Sequence, residues 1–317
     1  MTILQLKQVL EFICKAEVVL YIRVLAAICS MNKLFTLIVV LLLSISSFAQ
    51  HQERRMFMYN ACFGGITAGV GAVINKPKDL NWRKAFLKGI WQGSIGGALN
   101  YSGKKMLHQV SQHQEVAYGL PAKVLHAAGT SIVENAALGA PFLQNWSIDY
   151  GPVRFDFSIS GSRRFKARFL PMSINAVVGA SKHHRLDLKT TLLTGSIAFG
   201  THNGNLVVRR GVYVYGVSYD RAFAYTATPS DSVRHEIIAH ELVHQFQYRD
   251  YQVFNSWLKP LEAKVKSPTL QTIFSKYVYF DIPYLWPAYL LEGRKEYPYN
   301  YGNFFELEAD HFSMIKY

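Results

Sequence analysis

The run His240-Glu241-Leu242-Val243-His244 constrains this chain more than any other feature of its sequence. Residues four apart are neighbours on one face of an α-helix, so His240 and His244 can direct two imidazole nitrogens at one point. Glu241 is rotated by about 100° from His240, so it can face the same point without acting as a ligand. Two neutral imidazoles suit Zn²⁺, and an adjacent carboxylate suits proton transfer beside the metal.

The residues around this run predict a helix over 231–250. Ser230 offers an N-cap side chain, and no Pro or Gly interrupts the stretch. An apolar stripe has helical spacing: Ile237, Ile238, Leu242, Val243 and Phe246. The alternative is an exposed helix with polar neighbours, since so short a motif also arises by chance. On the preceding turn, His235 is predicted to be partly exposed and Glu236 to be solvated.

A second motif, Phe304-Phe305-Glu306-Leu307-Glu308-Ala309-Asp310-His311, follows near the end of the sequence. Glu306 and Asp310 are four apart and share a helix face, and Asn303 is a candidate N-cap for this helix. With both motifs the chain resembles the gluzincin metallopeptidases, in which HExxH is followed by a separate helix carrying E-x-x-x-D. That group includes integral-membrane prenyl-protein and heat-shock endopeptidases and small soluble relatives. The resemblance covers about residues 230–250 and 300–312.

The resemblance implies a metal site and a role for each of its residues. His240, His244 and Glu306 would be zinc ligands, Glu241 the general base, and Asp310 a hydrogen-bond acceptor for the free ring N–H of a ligand histidine. Three protein ligands leave a fourth position open, as catalytic sites do. Glu308 is the rival third ligand, but it lies about 200° around the helix from Glu306 and only Glu306 shares a face with Asp310. We therefore favour Glu306 and expect Glu308→Ala to be mild.

Composition bounds the possible partners. The chain has 317 residues, 50% hydrophobic and 17% charged, with a formal net charge of +13. Its basic residues are scattered and do not alternate with aromatics in a run, which argues against a nucleic-acid partner. Three cysteines supply no disulfide framework.

Residues 31–49 have the pattern of a secretory signal peptide. Lys33 precedes an apolar stretch at 34–45, and Ser47 and Ala49 are the small residues that a signal peptidase reads. Cleavage before Gln50 is expected, and residues 1–30 would then reflect an upstream start codon. The alternative is a retained anchor helix, because residues 17–48 are largely apolar. The expected location is the periplasm, the outer envelope or the secreted space.

The remaining sequence divides into a helical region at 50–144 and a zincin-like domain at 145–317. Small residues recur every fourth position at Gly65 and Gly69 and at Gly89, Gly93 and Gly97, which predicts a closely packed helical hairpin. The hairpin is either soluble or membrane-associated through residues 60–100, although each apolar stretch is shorter than the ~20 residues a spanning helix needs.

The segment 145–228 predicts an antiparallel meander. Residues 153–159 and 212–219 alternate with period two, and shorter strands are expected at 173–178, 189–199 and 206–209. The predicted fold is α+β and zincin-like: an antiparallel sheet, the HExxH helix and the C-terminal ExxxD helix, preceded by the glycine-rich helical region. A helix is also expected from Ser267 to about residue 279.

An oxyanion donor cannot be chosen from the sequence, which offers these candidates: Tyr297, Tyr299, Tyr301, His311 and Arg249. The sequence thus predicts an exported zinc endopeptidase that acts on peptides or proteins. Two alternatives stay open: a non-catalytic envelope protein with a structural zinc site, and a metal hydrolase that cleaves a non-peptide bond.

Overall fold

The computed structural model of the protein describes residues 52–159, 165–201, 206–208, 212–226, 230–262, 264, 267–292 and 303–314. The expected signal peptide and the segment before it lie outside the described residues. The same is true of Tyr297, Tyr299 and Tyr301.

Helices open the described chain, strands follow, and helices close it. The first part comprises α1 (Gln52–Asn75), α2 (Trp82–His113) and α3 (Gly119–Ala137). The middle part comprises β1 (Asn145–Tyr150), β2 (Val153–Ser158), β3 (Phe165–Phe169), α4 (Pro171–Ser181), β4 (Arg185–Leu186), α5 (Leu188–Thr194), β5 (Ile197–Thr201), β6 (Leu206–Val208), β7 (Val212–Val214), β8 (Gly216–Tyr219) and β9 (Ala222–Thr226). The last part comprises α6 (Asp231–Tyr251), a 3₁₀ helix (Gln252–Leu258), α7 (Lys259–Glu262), α8 (Pro268–Lys276), α9 (Leu285–Glu292) and α10 (Phe304–Ser313).

The glycine-rich segments form the predicted hairpin of α1 and α2. A Cβ added to Gly97 would lie 2.1 Å from the carbonyl oxygen of Asn60, and one added to Gly93 would lie 2.4 Å from that of Gly64. The two backbones are therefore in direct contact, as small residues every fourth position allow. By length and hydropathy α1 also qualifies as a membrane-spanning helix, a test that buried core helices pass as well.

Within the described residues the strands form three sheets, which contain only part of the predicted meander. β1, β2 and β3 make an antiparallel sheet, and β6 pairs with β7. The four-stranded sheet has the order β4-β5-β9-β8, and β5 and β9 are parallel. This parallel pair corrects the purely antiparallel prediction. It arises because β8 turns back at Asp220, whose φ is 65°, so that β9 lies between β8 and β5.

One segment predicted as a strand, 173–178, and the first part of another, 189–194, are helical, whereas 197–199 of the second lies in β5 as predicted. Residues 173–178 lie in α4, which starts at Pro171, whose fixed φ suits the first helical turn. Residues 189–194 lie in α5, where Asp187 caps the helix by accepting from the Thr190 N–H. Gly195, with φ 68°, ends α5 before β5 begins.

One hydrophobic core joins the hairpin to the two motif-bearing helices. Tyr101 and Leu107 of α2 pack in the same cluster as Ile238 and Leu242 of α6 and Phe312 of α10. The described residues from Met56 onward belong to one compact unit. The glycine-rich hairpin therefore supports α6 and α10 directly.

Candidate metal centre

Helix α6 carries the HExxH residues, and local sequence explains its position. The Ser230 hydroxyl caps it by accepting from the Val233 N–H at 3.3 Å. Ile238, Leu242 and Phe246 are buried on one face, which fixes the rotation of the helix. His240 and His244 then lie one turn apart, as the sequence predicts.

Helix α10 carries the second motif. Asn303 caps it by accepting from the Phe305 N–H at 2.9 Å. Ala309 and Phe312 are buried against the core. This rotation places Glu306 and Asp310 toward α6 and directs Glu308 into the protein.

Three side-chain atoms converge between the two helices. The Nε2 atoms of His240 and His244 are 3.0 Å apart. The Oε2 atom of Glu306 lies 3.2 Å from Nε2 of His240 and 3.5 Å from Nε2 of His244. Ligand atoms around a tetrahedral zinc ion are about 3.3 Å apart, given ~2.0–2.1 Å bonds. The group of His240, His244 and Glu306 could therefore hold a metal ion.

Each of these three side chains is held from behind by another residue. The Nδ1 atom of His240 lies 3.0 Å from Oδ1 of Asp310, and Nδ1 of His244 lies 2.8 Å from Oε1 of Gln247. The Tyr289 hydroxyl donates to Oε1 of Glu306 at 2.6 Å. If each ring Nδ1 donates, each Nε2 keeps its lone pair for the metal.

Without a metal, the two histidines favour their protonated forms and Glu306 favours its carboxylate form, because the opposite charges stabilise one another. Burial would lower the pKa of His240, but its bonds to Asp310 and Glu306 raise that pKa to about 10. Burial likewise opposes the carboxylate of Glu306, yet His244 and His240 hold its pKa well below the usual range. Bound divalent metal would replace these shared protons, because metal ligands must be deprotonated.

Glu308 belongs to a buried ionic network behind His240, His244 and Glu306, which we call the metal group. Its Oε1 accepts from Asn60 at 2.7 Å, and its Oε2 accepts from Gln247 and Lys104, each at 2.9 Å. Lys104 on α2 completes its three donations with Asn60 at 2.9 Å and Asp250 at 2.7 Å. Burial opposes the charge of Lys104, but Asp250 and Glu308 raise its pKa. Through Gln247, this network connects the glycine-rich hairpin to His244.

Glu241 differs from every other acid near the site. It is buried, and its Oε2 atom has no hydrogen-bond partner among the described residues. Burial raises the pKa of Glu241 to about 7, against the attraction of His240 and His244. Gly216, at the start of the edge strand β8, leaves room for it, since a Cβ there would lie 2.4 Å from Oε1 of Glu241. A buried carboxylate of this kind can exchange a proton near neutral pH.

Several other sequence candidates lie elsewhere. Arg249 donates to Glu134 at 2.6 Å and to Ser147 at 2.7 Å, so it is committed to a buried cluster and not to an oxyanion. The prediction that His235 is partly exposed is wrong. The His235 ring is buried, because it folds back to the first turn and its Nδ1 lies 2.6 Å from the Asp231 carbonyl oxygen. His311 packs against the ring of Phe312.

Sequence reasoning gave Gln247, Tyr289 and Lys104 no role at the metal ligands. Gln247 carried one signal, because it lies three residues after His244 and residues at that spacing are helix neighbours. Nothing local marks Tyr289 or Lys104.

No model of a known protein family matches this chain. Comparison with curated proteins and with solved structures gave no match either.

Proposed function

We propose that this protein is an exported, zinc-dependent endopeptidase of the gluzincin type. The observation that carries the proposal is the convergence of His240, His244 and Glu306 beside Glu241, a buried carboxylate with an unpartnered oxygen. Two imidazoles and one carboxylate, each with a polar partner behind it, are a donor set typical of catalytic zinc.

The proposed mechanism assigns one task to each residue. Bound zinc supplies a Lewis acid that polarises the scissile carbonyl and lowers the pKa of water. Glu241 takes the proton of the attacking water and passes it to the leaving amine. In the metal-free protein burial raises the pKa of Glu241 to about 7, and the charge of bound zinc would lower it toward the carboxylate form that a base needs. Asp310 and Gln247 orient the two imidazoles, and Tyr289 orients Glu306.

The position of β8 supports a peptide substrate. β8 is the last strand in its sheet order, and it begins at Gly216 beside Glu241. An extended peptide can add to such an edge by main-chain hydrogen bonds, which would bring its carbonyls past the site. Three ligands and a poised base favour catalysis over the alternative of a structural zinc site, which usually has four protein ligands.

Metal analysis and proteolysis of the purified protein test the proposal together. We expect about one Zn²⁺ per chain, lost in His240→Ala and His244→Ala, and cleavage of a fluorogenic protein that stops on chelation. Glu241→Gln should keep the metal and lose at least ~10² in turnover. Glu236→Gln, a partly exposed change on the same helix, is the matched control and should match the wild type.

Two results would contradict the proposal. Full zinc occupancy in the His240/His244 double alanine variant would disprove the site. Wild-type turnover in Glu241→Gln would disprove the mechanism. Export is tested separately by N-terminal sequencing of protein recovered outside the cytoplasm, which should begin at Gln50 rather than retain residues 31–49.

A further inference from the structure

A small internal cavity lies behind α6, apart from the three residues that could hold a metal. The volume of the cavity is about 20 Å³. All eight residues that line it are buried, and the polar ones are Lys123, His126, Asp149, Arg221, Gln245 and Arg249. A cavity of this size has room for one water or one monatomic ion.

Several polar atoms of the lining residues lack partners among the described residues. Gln245 is 3% exposed, and neither atom of its side-chain amide has a hydrogen bond. The same holds for Nη2 of Arg221, Nε of Arg249 and Oδ1 of Asp149. Leaving a buried polar group without a hydrogen bond costs about 1–3 kcal/mol, so we expect the cavity to hold a bound water or ion, called the guest below.

Donors outnumber acceptors around the cavity. Nζ of Lys123 donates to the Gly195 carbonyl at 2.6 Å and to Oγ of Ser196 at 2.8 Å, which uses two of its three N–H groups. Arg221 and Gln245 each contribute an unpartnered NH₂ group. The unpartnered acceptors are one oxygen of Asp149 and one of Gln245. An anion can accept hydrogen bonds from Lys123, Arg221 and Gln245 at once, whereas a water molecule accepts only about two.

The charges of the lining favour the same guest. Lys123, Arg221 and Arg249 are cationic, and Asp149 is the one carboxylate in the lining. Arg221 also contacts Asp220 at 2.7 Å and Arg249 contacts Glu134 at 2.6 Å, whereas Lys123 contacts only neutral oxygens among the described residues. Asp149 already contacts two of these cations, Arg221 at 2.9 Å and Arg249 at 3.5 Å. Burial and the nearby Arg221 lower the pKa of Lys123 to about 7. A negative guest would offset that cost and keep Lys123 charged.

We propose that this cavity binds a monatomic anion, chloride under physiological conditions, held by Lys123, Arg221 and Gln245. The site is independent of the proposed peptidase activity, because it uses none of His240, His244, Glu306 or Glu241. Gln245 directly follows His244 in sequence, so an ion bound at Gln245 would stabilise α6 on the side away from the metal group.

Thermal unfolding of the whole protein tests the anion site. Sodium chloride should replace sodium gluconate at constant ionic strength, so that general screening stays fixed. We expect the Tm to rise with chloride, by about 3 °C per tenfold increase above the Kd. Gln245→Leu should remove this response while leaving the Tm in gluconate unchanged or higher. Gln112→Leu, an exposed change of the same type on α2, should respond as the wild type does.

A crystal grown in sodium bromide provides a second measurement that does not depend on any variant. An anomalous bromide peak in contact with Lys123 and Gln245 is expected. Equal Tm values in chloride and gluconate, a chloride response that survives in Gln245→Leu, or a cavity that holds only water in bromide would each overturn the proposal.

Discussion

Glu306 and Glu308 lie two residues apart on α10, and the same substitution at each is expected to have opposite effects. Glu306→Gln should abolish metal binding and leave the metal-free fold largely intact. Glu308→Gln should destabilise the fold and weaken zinc binding much less than Glu306→Gln does, because Glu308 reaches His244 only through Gln247. The two side chains point to different sides of α10. Glu306 faces His240 and His244. Glu308 instead accepts hydrogen bonds from Lys104, Asn60 and Gln247.

The magnitudes follow from burial. The side chains of Lys104 and Glu308 are both 0% exposed, and removing one partner of a buried ion pair costs about 3–5 kcal/mol. We expect the lower end of this range, because Asp250 still contacts Lys104 at 2.7 Å in the variant. The side chain of Glu306 is 24% exposed and its role is shared with Asp310 at His240, so its loss should cost about 1–2 kcal/mol in the metal-free protein. The sequence-based expectation that Glu308→Ala is mild is therefore revised.

Urea unfolding in the presence of a chelator measures these free energies without the metal, and zinc titration of the folded variants measures binding. The difference between the two variants should exceed about 1 kcal/mol, with Glu308→Gln the less stable. If Glu308→Gln costs less than Glu306→Gln, or if Glu306→Gln keeps full zinc affinity, then α10 is rotated from the position described here and the assignment of the third ligand is wrong.

Two further substitutions probe groups beside the site. Gly216→Ala should displace Glu241, because the new Cβ would lie 2.4 Å from its Oε1. Turnover should fall at least ~10-fold while zinc is retained. Unchanged turnover would mean that the backbone of β8 moves and Glu241 stays in place. In zinc-loaded protein and chloride-free buffer, where the metal keeps His240 deprotonated, stability should rise by up to a few kcal/mol from pH 7 to 10. The reason is that Lys123 has a folded pKa of about 7 against 10.5, so the unfolded chain binds more protons in that window. Lys123→Met should flatten this rise in urea unfolding, and a rise that persists would assign it to other groups.

The local part of the site could be read from the sequence. Helical spacing alone brings His240 and His244 together and separates Glu306 from Glu308, and the caps at Ser230 and Asn303 are visible as residue types. These features depend on neighbours within one or two turns. For that reason a single sequence is enough to predict them.

The supporting residues could not be read in the same way. Lys104 and Glu308 are 204 residues apart, and Gln247 and Glu308 are 61 apart. Such contacts depend on how α2 and α10 pack, which helical periodicity does not specify. The parallel pairing of β5 with β9 is a similar case, since alternation with period two indicates a strand but not its neighbour.

The glycine pattern of the hairpin predicts close helix packing but does not say whether lipid or protein surrounds it. The buried charge of Lys104 on α2 gives a physical reason for the protein alternative, because its ammonium group is neutralised by Asp250 and Glu308 from α6 and α10. The close contact of Gly97 with Asn60 then matters for the metal group as well, since Asn60 donates to Glu308. A side chain at position 97 should therefore disturb both the fold and the support of His244.

Gly97→Ala tests this connection against a matched change, Gly179→Ala. The new methyl at Gly97 would lie 2.1 Å from a backbone oxygen, so α1 and α2 must separate and the protein should lose about 1–3 kcal/mol of stability. Gly179 lies in α4 with nothing within 4 Å of an added Cβ, so alanine there should stabilise by about 0.5–1 kcal/mol through its helix propensity. Urea unfolding and zinc titration should show that Gly97→Ala alone loses both stability and zinc affinity. If Gly97→Ala loses stability and binds zinc as the wild type does, the hairpin holds the fold together without supporting the metal group.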